Sequence, residues 1–144
     1  PDVAGIYDTF VLPRKALDGA GNIVDSAPLY DYAQNTGRPA LRDHYKSLFA
    51  RHRLDAFVFP TTPIVAPLAR PDVSEPEHFS LLIQNTEPSA SAGLPGIQLP
   101  VGIGATTGLP VGLELDGHAG EDRRLLAIGI ALENLLGRIA PARL

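Results

Sequence analysis

Apolar positions recur at helical spacing over residues 39–53, where Leu41, Tyr45, Leu48 and Phe49 share one face at i, i+4, i+7 and i+8. Pro39 suits the first turn of such a helix. Arg51, His52 and Arg53 put positive charge at its other end, where the macrodipole is negative. The spacing then changes. Ala56-Phe57-Val58-Phe59 is continuously apolar, the pattern of a strand buried on both faces, whereas an exposed hairpin strand would alternate. A helix followed at once by such a strand predicts an α/β sheet. Pro60, Pro63 and Pro67 next forbid regular ladder pairing, so PTTPIVAPLARPDVSEPE is predicted as a loop leaving the end of a central strand. In open α/β sheets such loops line ligand sites.

Farther along, HFSLLIQNTEPSASA (78–92) suits a helical turn through Phe79, Leu82 and Ile83 that Pro88 breaks. GIQLPVGI and LPVGLELDG are two apolar β runs. The segment Gly104 to Gly108 between them has hairpin length, and Pro100 and Pro110 limit which backbone groups pair. The last element is a helix over about 121–136. Glu121 and Asp122 suit its first turn, Leu125, Ile128, Leu132, Leu135 and Leu136 form its apolar face, and Gly137 ends it. Leu126 and Ile130 widen that face, which predicts packing on a sheet. Residues 1–38 carry one apolar patch, Phe10-Val11-Leu12, and a turn cluster at Asp18 to Gly21, and are expected to be an irregular connecting segment. The chain is thus expected to be one unit over 1–144, with its α/β portion at 39–144.

Composition narrows the classes. At 144 residues with 44% hydrophobic and 19% charged residues, the chain can bury a core and is globular. A net charge of −4 with scattered cations gives no footprint for nucleic acid or an anionic membrane. The absence of cysteine excludes disulfides and thiolate metal sites. No apolar run approaches bilayer length and no export signal opens the chain, which gives a cytoplasmic expectation. There is no methionine. With the abrupt start at Pro1-Asp2-Val3, this raises the expectation of a piece of a longer protein.

Chemistry-bearing patterns are sparse. Gly102-x-Gly104 lacks a correctly spaced third glycine and is followed by a strand, so it does not form a dinucleotide fingerprint, and no cofactor is expected. Asp116-Gly117-His118 offers two metal-ligand types, but a loop histidine near a helix cap explains His118 better, and no metal is expected. Ser89 and Ser91 flank Ala90 with no base nearby in sequence, so close packing explains them better than nucleophilic catalysis. Thr61, Thr62, Asn85 and Thr86 end apolar segments. Such groups either satisfy local backbone or face a ligand, and both readings stand.

The pieces LDAFVFPTTPIVAP, NTEPSASAGLPGIQLPVG, GLPVGLELDG and EDRRLLAIGIALE, in that order over about 54–133, resemble the C-terminal region of the amidase signature family, and within it the mandelamide and indoleacetamide hydrolase branch. The resemblance implies part of a mixed β-sheet covered by helices, in an α/β/α fold. It also implies hydrolysis of an aryl or arylalkyl amide through a serine acyl-enzyme. The family's two serines and lysine lie in a Gly/Ser-rich region well upstream that this chain lacks, and Lys15 and Lys46 do not sit in its lysine motif. No residue here inherits a catalytic role. The implied partners are the upstream part of the same protein and a small amide, with a homo-oligomer left open. By analogy, Thr61, Thr62, Asn85 and Thr86 would face the substrate, and the small residues of 85–102 would let backbone pack against the catalytic core. Two other readings are weighed beside this one: part of the amidase-like chain of a glutamyl-tRNA amidotransferase, working with partner chains, and a non-catalytic binding or scaffold module. An isolated α/β piece would expose sheet edges and apolar faces.

Overall fold

The computed structural model describes residues 3–137 and 139, and the chain divides into two compact units between Leu41 and Arg42. In the first unit, α1 (Val3–Ile6) runs into a π-turn (Tyr7–Val11). A short antiparallel hairpin follows, β1 (Lys15–Leu17) with β2 (Ile23–Asp25). Asp18 closes it: one carboxylate oxygen accepts from the backbone N–H of Ala20 at 2.9 Å and of Asn22 at 2.8 Å. The side chain and backbone N–H of Asn22 hold the Asp18 carboxyl below its ordinary pKa. Asp25 then caps α2 (Ser26–Tyr32) by accepting from the Ala27 N–H. A second π-turn (Ala33–Gly37) leads into α3 (Arg38–His52), with the Arg38 N–H reaching the Ala33 carbonyl. Pro39 accounts for this turn: it has no N–H to donate, and its ring crowds the carbonyl four residues back. The segment expected to be irregular is therefore a sequence of short, locally capped elements. None of its described residues is buried, so no apolar period announced them.

The second unit is built on a three-stranded antiparallel sheet in the order β3 (Ala56–Pro60), β5 (Pro110–Gly117), β4 (Gly96–Ile103). The α/β class holds and the β4–β5 hairpin forms as expected, but the central strand differs. β5 lies in the middle and β3 lies at an edge, with Val58 54% exposed. A continuously apolar run signals two faces to be covered, and among the described residues one face and the outer edge of β3 stay open. Pro60, paired opposite Leu113, is tolerated because an edge strand need not donate on its outer side. The ladder between β4 and β5 shifts register between Pro100 and Gly102, where proline removes a donor.

The two faces of this sheet differ in chemistry. One carries Leu115, 1% exposed, and Gly117, against which α6 (Asp122–Leu136) packs through Leu125 and Gly129. A Cβ on Gly129 would fall on the end of Ile97, so glycine here lets the helix approach β4. Leu126 and Ile130 are 55% and 61% exposed, so the widened apolar stripe of α6 reaches past this sheet. The other face carries Phe57, Glu114 and Asp116 in cross-strand register, covered by Tyr45 and Phe49 of α3 and Ser89 of α5 (Glu87–Ala92). Pro88 does not break a helix. It sits in the first turn of α5, while α4 (Pro76–Ile83) has already ended.

Candidate functional site

The loop after β3 leaves the sheet beside the start of β5, and the two enclose a cavity of about 640 Å³. That volume suits a small organic ligand. Its wall is mainly apolar, with Ile64, Val65, Leu82, Val101 and Val111, and Thr61 and Thr62 belong to the same lining. The Thr61 N–H continues the ladder by donating to the Gly112 carbonyl at 3.1 Å. Its hydroxyl oxygen is buried and has no hydrogen-bond partner. The Thr62 hydroxyl is committed locally, donating to the Ile64 carbonyl at 2.7 Å.

The other two expected site residues stand elsewhere. The Asn85 side chain donates to the Pro60 carbonyl at 2.8 Å, and Asn85 lines a shallower hollow with Tyr45, Phe57, Phe59, Gln84 and Pro88. The Thr86 hydroxyl donates to the Ile83 carbonyl at 3.2 Å, closing the turn between α4 and α5. So Thr61 and Thr62 share the cleft, Asn85 anchors the segment behind it, and Thr86 shapes a turn. Among the four, the uncommitted hydroxyl is that of Thr61.

The stretch of small residues in 85–102 finds its packing partners inside this unit. Ser89 is 3% exposed and Ala92 is fully buried, with Arg42 Nε donating to the Ala92 carbonyl at 2.8 Å. Gly93 closes α5 in the left-handed region at φ 73°, with the Leu94 N–H on the Ser89 carbonyl and the Gly93 N–H on the Ala90 carbonyl. The Ser89 hydroxyl has the Thr86 carbonyl at 3.4 Å and the Asp116 carboxyl as acceptors, and the residue is 3% exposed. His118 Nε2 lies 3.0 Å from the Leu54 carbonyl and its ring stacks on Phe49, which is a packing role.

In the sequence Asp116 stands out only as a metal-ligand type beside His118, and Glu114 does not stand out at all. Asp116 is 1% exposed, and one of its oxygens has no partner. Burial pushes its pKa up, opposed by the Ser89 hydroxyl. Burial, and then the neighbouring Asp116, push Glu114 up as well, and the same two causes raise the Tyr45 phenol. The signal was present in Leu113-Glu114-Leu115-Asp116, since alternation on a strand places both acids on one face. It becomes telling only once that strand is known to be central.

Comparison with known proteins adds the lineage. A family model described as Amidase matches residues 14–126. Mandelamide hydrolase from Pseudomonas putida is 41% identical over 138 residues, covering 96% of this chain and 27% of that protein. Indoleacetamide hydrolase from Agrobacterium vitis is 40% identical, covering 94% of this chain and 28% of that protein. The crystal structure of a glutamyl-tRNA(Gln) amidotransferase chain from Thermotoga maritima superposes with a TM-score of 0.59 at 27% identity, over 76% of this chain and 24% of that one. The chain spans just over a quarter of the length of the curated relatives it matches.

Proposed function

The chain belongs to the amidase family, and from that premise we propose that the protein containing it hydrolyses an aryl or arylalkyl carboxylic amide to the acid and ammonia. In this reading a serine oxygen attacks the amide carbonyl and the C–N bond breaks. The nitrogen leaves with a proton as ammonia, and water then cleaves the acyl-serine ester. The serines and lysine for this lie outside the chain, in a preceding part of the same protein. The chain's own contribution is the cleft. The observation that carries the reading is a mainly apolar cavity of about 640 Å³ lined by the loop after β3 and the start of β5. Its walls suit an aromatic ring, and Thr61, whose buried hydroxyl lacks a partner, is the polar residue of the wall that a shift of the loop would turn toward a ligand. Thr62, Asn85 and Thr86 support this site through the hydrogen bonds that shape its loops. The open edge of β3 and the exposed stripe of α6 are where the preceding part would add strands and cover.

The test is ammonia release from phenylacetamide by the 144-residue chain alone and by the longer protein. Release is expected from the longer protein only. Release by the chain alone that vanishes in S89A or S91A would mean the nucleophile has been misplaced. Thr61→Val separates a binding role from a structural one. Removing an unpaired buried hydroxyl leaves folding stability unchanged or raises it by about 1 kcal/mol. If the hydroxyl meets substrate, KM rises about tenfold, equivalent to ~1.4 kcal/mol. An unchanged KM sinks the assignment.

Although the crystal structure of an amidase superposes equally well, with a TM-score of 0.58 at 34% identity, the amidotransferase reading is supported by the superposition on the Thermotoga maritima chain. Co-purification with a different chain, together with failure to cleave aryl amides, would select it.

A further inference from the structure

The second unit buries one carboxyl almost completely, and the amide chemistry above does not use it. Asp116 lies on the central strand, 1% exposed, with one oxygen unpartnered. The groups around it can be named element by element. On β5 its neighbour along the same face is Glu114, with an unpartnered oxygen of its own. On β3 the residue opposite is Phe57, and on β4 it is Gly96, whose missing side chain leaves a point 3.0 Å from an Asp116 oxygen and 3.4 Å from a Glu114 oxygen. From α3 comes Tyr45, and Arg42 of that helix is committed to the Ala92 carbonyl. From α5 comes Ser89, 3% exposed. His118, two residues on, holds the Leu54 carbonyl. Among the described residues no basic side chain makes an ion pair with Asp116. A charge in that setting has neither water nor a counter-ion, and a neutral acid is the form the site accepts.

We propose that Asp116 keeps its proton in the folded chain and serves as a pH-sensitive latch: the neutral carboxyl lets α5 close over β5, and its ionisation, which calls for water that the closed face excludes, loosens α5 from the sheet although the Ser89 hydroxyl partly offsets the charge. The consequence reaches the candidate cleft through a short path. Just before α5, Asn85 holds the Pro60 carbonyl, and Pro60 is followed directly by Thr61. That consequence rests on the proposed function, whereas the latch rests on the packing alone.

The sign follows from linkage. The folded pKa of Asp116 is raised, so its contribution to stability is complete below the ordinary aspartate value and is lost as pH rises through the folded value. Glu114 adds in the same direction. The experiment is hydrogen exchange on the full chain from about pH 4, near the ordinary aspartate pKa, to about pH 8. The amides of α5 are compared with those of α6, which packs on the opposite face and corrects for the intrinsic pH dependence. Native α5 is expected to lose at least tenfold more protection than α6 as pH rises, and Asp116→Asn, which mimics the neutral acid, to abolish the difference. Parallel behaviour of α5 and α6 in the native chain overturns the proposal. Should D116N fail to fold, the ¹³C shift of the Asp116 carboxyl in the native chain decides. Titration above the ordinary value of about 3.9 supports the latch, and titration at or below it overturns it.

Discussion

Phe49→Ala is expected to remove about 3–5 kcal/mol of folding stability, a large share of the ~5–15 kcal/mol a domain of this kind possesses. Phe49 is the buried residue of α3, 2% exposed. Its ring centroid lies 4.7 Å from that of Phe57 on β3, and the His118 ring stacks on it at 4.0 Å. The truncation therefore opens a cavity where helix, edge strand and the segment leading to α6 converge. It also deletes two ring contacts, each worth about 0.5–1.5 kcal/mol beyond simple burial. The surroundings cannot collapse easily. Tyr45 packs edge-on to Phe57 on one side, and the His118 ring is held by its bond to the Leu54 carbonyl. Phe49→Leu keeps most of the volume and loses the stacking, so it should recover more than half the loss. Urea unfolding of the three proteins checks this, and a cost below about 1 kcal/mol for Phe49→Ala would show that α3 is not anchored through this ring.

How much of this was legible in the sequence depended on where burial imposes a period. The helices α3 and α6 and the β4–β5 hairpin could be read because each puts apolar residues against a sheet, or a turn between strands, at fixed spacing. Residues 3–41 bury nothing, so Asp18 and Asp25, which hold the local turns and caps there, had no periodic pattern around them. Strand order was misread for a different reason. Phe57 and Phe59 face α3 and Glu114, while Val58 faces outward, and a run of apolar residues cannot say whether its second face is covered in this chain or by something beyond it. The candidate site divided along the same line. Thr61 and Thr62 follow a strand end, a placement that topology alone predicts. What Asn85 does depended on its 2.8 Å bond to a carbonyl 25 residues away, which no local pattern encodes. Asp116 was hidden because an acid on a strand ordinarily marks the wet face, and only the packing of α3 and α5 makes this face dry.

Gly93→Ala should cost about 2.5–5 kcal/mol, and its two causes can be separated. The residue closes α5 at φ 73°, a region where an L side chain costs roughly 1–2 kcal/mol. A Cβ would also lie 2.7 Å from a terminal nitrogen of the Arg42 guanidinium. Arg42 cannot retreat without releasing the Ala92 carbonyl, which its Nε holds at 2.8 Å, and a hydrogen bond from a charged group contributes about 1.5–3 kcal/mol. The backbone cost belongs to Gly93 alone, whereas the second cost exists only while Arg42 is present. In an Arg42→Ala background the same substitution should therefore cost only the backbone part. The double-mutant cycle should show a coupling of at least about 0.5 kcal/mol, as expected for residues in direct contact. Additivity within about 0.5 kcal/mol would mean that the guanidinium moves aside freely. The small-residue stretch before β4 would then owe its glycine to φ alone. A clear coupling would mean instead that Gly93 is small so that α3 can reach across and hold the end of α5, keeping Ser89 above Asp116.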